Sequence, residues 1–267
     1  MDSPAARAII TFGVMILSVI GVFIARRLFP PAKLRENNEY VGFTYAFVGL
    51  VYGVYLAFTV VVVWEQFNSA EQDTETEAAH LTELYRDAGT LPPAQRAAIQ
   101  AQIARYTRSV IDREWPAMAR GEVSDPDTVK QWNMLWRSYY AVSDVPLTQM
   151  QTIYLQESLR QLNEIGVARR ERLLSARSAL HPIMWTLLLF GGVGMIIYSY
   201  LIAAESVWVQ VAITAFLAAM VVFSILIVGA MEHPYAGDVS VEPDAFIGAL
   251  KSLQIDQALN APHAPSP

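Results

Sequence analysis

Long apolar stretches alternate with charged ones along this chain. Four stretches contain no Asp, Glu, Lys or Arg, namely residues 8–25, 40–64, 183–204 and 207–231. An α-helix rises about 1.5 Å per residue, so roughly 20 apolar residues cross the ~30 Å hydrocarbon layer of a bilayer. A soluble core is not expected to supply four such runs in 267 residues. The pattern therefore predicts an integral membrane protein with four transmembrane helices.

Most of the charged residues lie between the second and third apolar stretches, which divides the chain into segments. We predict a transmembrane hairpin at 1–64, a helical extramembrane domain at 65–182, a second hairpin at 183–231 and a C-terminal segment at 232–267. The Pro/Ala-rich tail from Ala258 has the composition of a disordered segment.

The first apolar stretch could be a cleaved secretory signal or a permanent anchor. Arg26 and Arg27 follow it directly, where a cleavage site would need small residues. We therefore expect an uncleaved anchor.

Helix signals also fill the extramembrane domain at 65–182, called the insertion below. No alternation of apolar and polar residues typical of strands occurs there, so we predict an all-α fold. No Gly or Pro occurs between Trp64 and Gly89, which predicts that the second span continues out of the membrane as a helical stem. Three further helices are expected: one from Pro93 with a buried stripe ending at Val110, one over 128–142, and one from Val145-Pro146 to Leu180.

Composition agrees with the membrane assignment, since 54% of the residues are hydrophobic and 16% are charged. The absence of cysteine excludes disulfides, thiol catalysis and thiolate metal sites. The net charge of −6 argues against a nucleic-acid partner. No phosphate loop or Ser/His/Asp set occurs, so we predict no catalytic residues, no cofactor and no enzymatic activity. The Gly191–Gly194 run lies mid-span, where it serves close packing or a kink.

Acidic residues crowd the stem after the second span, and basic residues crowd the helix that leads into the third. That helix contains Arg160 and, closer to the third span, a basic set made of Arg169, Arg170, Arg172 and Arg177. The simplest interpretation is that the two sets form salt bridges or solvated faces. Alternatively, one set forms a charged ring at the mouth of a pore, or the arginines contact lipid phosphates.

Glu77 and His80 are three residues apart, a spacing that di-iron helical bundles use. Such a site needs a second copy of the motif and two more carboxylates, and the sequence has no second copy. We predict no metal site, and expect His80 to be a surface or packing residue.

The four apolar stretches lack the ionisable midplane residue that pumps and ion-coupled carriers usually have. The second span instead has a helix face made of small residues: Gly42, Ala46, Gly49, Gly53 and Ala57. Small residues let helices approach closely in lipid. This face is expected to pack against another span of the same chain or against a neighbouring subunit.

Several short motifs follow one another along the chain. They are Trp64, Glu77, Leu81, Leu84-Tyr85-Arg86 and Leu91-Pro92 in the stem, Glu114-Trp115-Pro116 in the insertion, Arg169, Arg172-Leu173, Pro182 and Trp185 before and in span three, and Glu232-His233-Pro234-Tyr235-Ala236-Gly237-Asp238 after span four. With these motifs in this order, the chain resembles the bacterial bestrophin-like membrane proteins, a family of unassigned function.

Bestrophins proper are pentameric chloride channels with an apolar neck on the second span. The resemblance thus implies a homo-oligomeric channel in membrane lipid that passes anions such as chloride. The neck candidates are Phe47, Leu50, Val54 and Phe58, and the basic set would line a vestibule. The alternative is a non-conducting scaffold or sensor that binds a protein through its Trp/Tyr-rich third helix.

Bestrophins also hold calcium after a turn beyond the fourth span. Here only Asp238, Glu242 and Asp244 follow that turn, too few for a typical calcium shell, so we expect no calcium gating. The resemblance implies a multi-pass protein of the bacterial inner membrane with the insertion in the cytoplasm. The flanking positive charges do not decide the orientation.

Overall fold

Helices make up the regular structure of this protein. The computed structural model describes residues 4–142 and 144–259, and no strand occurs within those ranges. The α-helices are α1 Pro4–Leu28, α2 Pro31–Glu36, α3 Asn38–Ala88, α4 Pro93–Ser109, α5 Trp115–Ala119, α6 Pro126–Tyr140, α7 Gln149–Ser175, α8 Pro182–Ser199, α9 Val207–Met231 and α10 Asp244–Leu259, with a π-helical turn at Val110–Glu114. The predicted all-α fold is confirmed.

Four helices are long and apolar enough to cross a membrane: α1, α3, α8 and α9. This confirms the predicted number of spans. The chain divides into two units, and the membrane unit comprises the residues up to Glu65 together with Ala179–Glu232. Within it α1 and α8 both pack against α9. Most of the span surface stays exposed in a single chain, as expected where lipid or other subunits cover it.

The third span is shorter than the predicted 183–204, because α8 ends at Ser199. The chain then turns, and two side chains take up its backbone groups. Nδ2 of Asn38 donates to the carbonyl oxygen of Ala203 at 2.9 Å, and Oδ1 of Asn38 accepts from the backbone N–H of Ala203 at 3.1 Å. Arg26 donates to the carbonyl oxygen of Ala204 at 2.6 Å. These bonds satisfy polar groups that a helix would otherwise have used.

The stem is continuous with the second span, as predicted, because α3 runs unbroken to Ala88. It ends just before Gly89, whose N–H bonds to the carbonyl oxygen of Arg86. A single 51-residue helix therefore carries both the second span and the stem.

The helical unit comprises Gln66–Ser178 and the chain from His233 onward. Its core includes the predicted stripe of α4, and the four stripe side chains Ile99, Ile103, Tyr106 and Val110 are fully buried. The helix type changes at Trp115, where the π-helical turn gives way to α5.

The boundaries of α7 differ from the prediction at both ends. The helix begins at Gln149 because Thr148 and Gln151 form a capping box, which outweighs Pro146 as a start signal. It ends at Ser175, so that a non-helical connection precedes Pro182.

The segment after span four folds onto the helical unit. The Tyr235 hydroxyl donates to the carbonyl oxygen of Ala70 at 2.9 Å, and the Trp115 indole donates to that of Val241 at 3.1 Å. The helix α10 follows, and it buries Phe246. It extends to Leu259, so it includes the start of the tail predicted to be disordered, and residues 260–267 lie outside the described part of the chain.

Candidate functional site

Two tyrosines fix the rotation of α3 within the membrane unit. The Tyr52 hydroxyl donates to the carbonyl oxygen of Leu188 at 3.1 Å, and the Tyr55 hydroxyl to that of Met184 at 2.7 Å. The two acceptors lie about one turn apart on α8. Hydrogen bonds between membrane helices contribute about 0.6 kcal/mol each on average, and their geometry specifies which face of a helix turns toward its partner.

Glycines on α8 make room for Tyr52. A Cβ atom at Gly191 would lie 2.6 Å from Cδ2 of Tyr52, and one at Gly192 would lie 2.9 Å from its hydroxyl oxygen. Gly194, in contrast, has nothing within 4 Å of its Cβ position. The close-packing interpretation of the glycine run is thus confirmed for its first two members.

The four neck candidates lie on the opposite side of α3. Phe47, Leu50, Val54 and Phe58 follow each other at spacings of three, four and four residues, which places them on one helix face. Each is between 48% and 67% exposed in the single chain. The structure thus brings all four together on a face turned away from α8. Their role as a neck stays a prediction.

The small-residue face of α3 is largely uncovered within the chain. Gly49 touches α8, where its Cβ position is 3.1 Å from Cε of Met195. Gly42 and Gly53 have nothing within 4 Å, and Ala46 and Ala57 are exposed. Most of this face is therefore free to pack against something outside the chain.

A buried ionic cluster forms the centre of the helical unit. Arg172 donates from Nε to Glu77 at 2.8 Å and from Nη2 to Glu114 at 2.7 Å. Arg169 donates to the other oxygen of Glu114 at 2.7 Å, and the Tyr106 hydroxyl donates to Glu77 at 2.5 Å. Two arginines and two glutamates balance each other in charge, which is what allows them to be buried.

Arg172 therefore corrects one prediction. Its side chain has no exposed surface, so it cannot line a water-filled vestibule. Arg169 is largely buried through the same cluster, while Arg170 and Arg177 are exposed on the surface of the helical unit. For Arg169 and Arg172, the salt-bridge interpretation of the charged helices is the one that the contacts support.

The cluster is assembled by elements distant in sequence. The π-helical turn places Glu114 beside Arg169 and Arg172, and the ring of Trp115 lies 5.6 Å from the guanidinium carbon of Arg172. Phe246 of α10 covers the same guanidinium from 5.5 Å. The position of Glu77 could have been inferred from helical spacing. Glu77 precedes Leu81 by four residues, so both side chains lie on the same face of α3, and Leu81 is buried in the core.

Burial and charge set the protonation of the cluster. Burial opposes a charge on Arg172, but the neighbouring Glu77 and Glu114 raise its pKa well above the usual value, so it stays a cation. Burial, followed by the charge of Glu77, raises the pKa of Tyr106 well above its ordinary value. Its hydroxyl accordingly remains a hydrogen-bond donor.

The carboxylates after the fourth span, Asp238, Glu242 and Asp244, do not form a cluster. Among the described residues there is no group of three or more His, Cys, Asp or Glu side chains that could hold a metal ion. Glu242 instead accepts a hydrogen bond from Ser240 at 3.3 Å. Nδ1 of His80 lies 3.4 Å from a carboxylate oxygen of Glu83, one helical turn further along α3.

The aromatic third helix of the insertion, α6, uses most of its rings internally. Trp132 packs against Tyr106 and Trp136, with ring centroids 5.5 Å and 6.0 Å apart. Both tryptophans join the core of the helical unit, and Tyr139 is buried. This leaves Tyr140 as the exposed ring of that cluster, which is a small surface for binding a protein partner.

Comparison with known proteins agrees with this architecture. A bestrophin-like domain model matches residues 12–246. No curated protein matches the chain. The fold is similar to a bacterial bestrophin homologue from Klebsiella pneumoniae carrying one substitution, with a TM-score of 0.73 at 11% identity over 93% of this chain and 98% of that one. A second structure of a homologue from that organism gives 0.70 at 12% identity over 94% and 99%.

A structure described as a membrane protein variant matches with a TM-score of 0.71 at 11% identity, over 92% of this chain and 97% of that chain. At these identities the likeness establishes a shared fold. The domain match covers most of the sequence and confirms the resemblance inferred from the motifs. The chain is a multi-pass membrane protein and belongs to the bestrophin-like family.

Proposed function

We propose that this protein is a homo-oligomeric channel that conducts ions along an axis lined by α3. The proposal is supported by one observation: α3 has one face that packs against α8 and an opposite face that is apolar and exposed. Tyr52 and Tyr55 bind one face to α8, while Phe47 and Phe58 leave the other face apolar and open. In a ring of subunits, such a face encloses a narrow apolar constriction, which gates ions by dewetting.

The small-residue face supports an assembly of several chains. Gly42, Gly53 and Ala57 flank the open apolar face and are not covered within the chain. In lipid, helices associate through close packing of small residues rather than by hydrophobic exclusion. A neighbouring copy of α3 would gain that packing. Of the two partners considered for this face, the neighbouring subunit is therefore the better supported.

Anion permeability is what the family resemblance implies, and a vestibule of arginines would favour it. Arg169 and Arg172 are neutralised by Glu77 and Glu114, so their charge is not available to attract an anion. The proposal therefore commits to ion conduction in the bacterial inner membrane, with the helical unit in the cytoplasm by family likeness.

Reconstitution tests the proposal directly. The purified protein should run as a homo-oligomer in mild detergent, and vesicles that contain it should show ion flux driven by a salt gradient. Because the chain has no cysteine, Gly53→Cys introduces a single thiol on the small-residue face. Oxidation should then cross-link neighbouring subunits, whereas Gly13→Cys, on an open face of α1, should cross-link far less.

A monomeric protein that gives no flux at any voltage or pH would refute the channel. A reporter fused after residue 259 would test the cytoplasmic assignment separately, because a periplasmic signal would invert the orientation.

A further inference from the structure

An open groove lies between α1 and α9 in the membrane unit. It has a volume of about 300 Å³ and is lined by Ala215 of α9 and by six apolar side chains of α1, of which Phe12 is the first and Phe23 the last. Phe12 is 63% exposed and Phe23 is 48% exposed in the single chain, so the groove is open at both ends. A groove lined in this way offers hydrogen bonds to nothing and gains by covering its surface with hydrocarbon.

The length of the groove matches one leaflet of a bilayer. Phe12 and Phe23 are 11 positions apart on α1, which corresponds to about 16 Å along the helix axis. One leaflet supplies half of the ~30 Å hydrocarbon layer. A helix of a neighbouring copy crosses both leaflets and would need a groove about twice as long. The dimensions therefore fit a lipid acyl chain better than a second copy of the protein.

A basic residue stands at the end of the groove that is nearer the membrane surface. Arg27 follows Phe23 by four residues, so it lies on the same face of α1, and it is exposed. The helix α1 contains no Asp or Glu. No ion pair involves Arg27 in residues 4–142 and 144–259.

The neighbouring basic residues are engaged elsewhere. Arg26 donates to the carbonyl oxygen of Ala204 at 2.6 Å, and Arg35 contacts Glu205 at 3.8 Å. Arg27 thus leaves a guanidinium in line with an apolar groove. A guanidinium forms paired N–H···O bonds with phosphate, and these are among the stronger hydrogen bonds in proteins. An apolar chain with a phosphate at one end complements both features.

We propose that this groove binds one phospholipid per chain, with an acyl chain between α1 and α9 and the phosphate on Arg27. The second acyl chain of the lipid stays in the surrounding bilayer. The inference does not require α3 to surround an axis, so it is independent of the proposed channel. A ligand that binds only the folded state stabilises it, so the phospholipid should also raise the unfolding temperature of the protein in detergent.

Native mass spectrometry of delipidated protein, titrated with dioleoyl phosphatidylglycerol, tests the proposal. One lipid per chain should bind with highest affinity. Dioleoylglycerol, which has the same acyl chains and no phosphate, should bind more weakly. Arg27→Gln should weaken phosphatidylglycerol binding about fivefold, because one basic residue near a membrane surface contributes about 1 kcal/mol. The same variant should leave dioleoylglycerol binding unchanged.

A second variant fills the groove. Ala215→Phe places a ring where the acyl chain would lie and should abolish the high-affinity binding of both lipids. Ala212→Phe is its matched control, because Ala212 is exposed on α9 and does not line the groove. Arg96→Gln, at an exposed arginine of the helical unit, is the control for Arg27→Gln. Both controls should bind phosphatidylglycerol as the unmodified protein does.

The unmodified protein provides a test that no folding defect can obscure. Phosphatidylglycerol that carries a photoreactive diazirine on one acyl chain should label α1 between Phe12 and Phe23, or α9 around Ala215. Labelling spread evenly over the four spans would overturn the site. Equal affinity for the two lipids, or no effect of Arg27→Gln, would overturn the role of Arg27. Loss of the oligomer in Ala215→Phe with lipid binding intact would show that a neighbouring subunit covers the groove, and would overturn the proposal.

Discussion

The ring of Tyr52 occupies the space that a side chain at Gly191 would fill. A Cβ atom there would lie 2.6 Å from Cδ2 and 2.7 Å from Cε2 of the ring. The same tyrosine donates its hydroxyl proton to the carbonyl oxygen of Leu188, one turn before this glycine along α8. Tight packing and a directional bond at one point hold α3 in a single rotation, and that rotation decides which face remains open.

Gly191→Ala should therefore loosen the contact between α3 and α8. Overpacking of this kind costs about 1–3 kcal/mol because the ring has to move. Gly194→Ala is the matched control, since its Cβ position is open, and it should change stability by less than about 0.5 kcal/mol. The measurement is the midpoint of thermal unfolding in detergent for both variants.

A double substitution checks the cause. If the ring is what the new methyl group meets, Gly191→Ala should cost little in a Tyr52→Ala background, because the two residues are coupled. Equal effects of Gly191→Ala in both backgrounds would show that the glycine acts through something other than Tyr52.

Removing the guanidinium at the centre of the helical unit should be severely destabilising. Arg172→Met leaves Glu77 and Glu114 buried without their main partner, and breaking a buried ion pair in this way costs about 3–5 kcal/mol. Arg172→Lys should recover only part of the loss, because one ammonium cannot match the planar contacts to both carboxylates. Chemical unfolding followed by tryptophan fluorescence measures the change.

Arg170 provides the comparison for that experiment. It is two residues away on the same helix and is exposed. Arg170→Met should fall within about 0.5 kcal/mol of the unmodified protein. A loss as large as that of Arg172→Met would mean that the ionic cluster is not the source of the stability.

Asp73 should make the stability of the helical unit depend on pH. Burial first, and then the charge and hydrogen bond of Glu171, raise the pKa of Asp73 from its ordinary value of 3.8 to about 6. The folded chain thus keeps a proton that the unfolded chain releases. The stabilising contribution is present below about pH 4 and is lost as the pH rises through about 6.

Asp73→Asn imitates the protonated form at every pH. The variant should unfold at a higher temperature than the unmodified protein near pH 7.5, and the difference should shrink near pH 4.5. These pH values bracket, roughly, the interval over which the proton is retained. The exposed Asp112→Asn should show no such pH-dependent difference. If Asp73→Asn changes the unfolding temperature by the same amount at both pH values, Asp73 and Glu171 do not retain a proton in the folded protein.

Local features of this fold could be predicted from the sequence, and long-range pairings could not. The apolar runs predicted the four spans, and the absence of Gly and Pro after Trp64 predicted the continuous stem. The end of α8 escaped prediction because it depends on Asn38, 165 positions away from Ala203. The start of α7 depended on a capping box that Pro146 obscured.

The candidate site shows the same division. Helical spacing grouped Phe47, Leu50, Val54 and Phe58 on one face, and the structure keeps them together. Spacing alone could not say whether that face turns inward or outward, because this follows from Tyr52 and its contact with α8. Nor could it place Arg172 in the interior, since its partner Glu77 is 95 positions away.

The claim that the open face of α3 lines a water-filled conduit is tested most directly with a single introduced thiol. The chain has no cysteine of its own, so Val54→Cys offers one reactive site on that face. Phe216→Cys places the thiol on α9, at a position that is also exposed in the single chain. A charged, water-soluble thiol reagent should reduce the current through Val54→Cys channels severalfold and leave Phe216→Cys channels unaffected. Current through Val54→Cys that persists unchanged, while Phe216→Cys is blocked, would contradict the account.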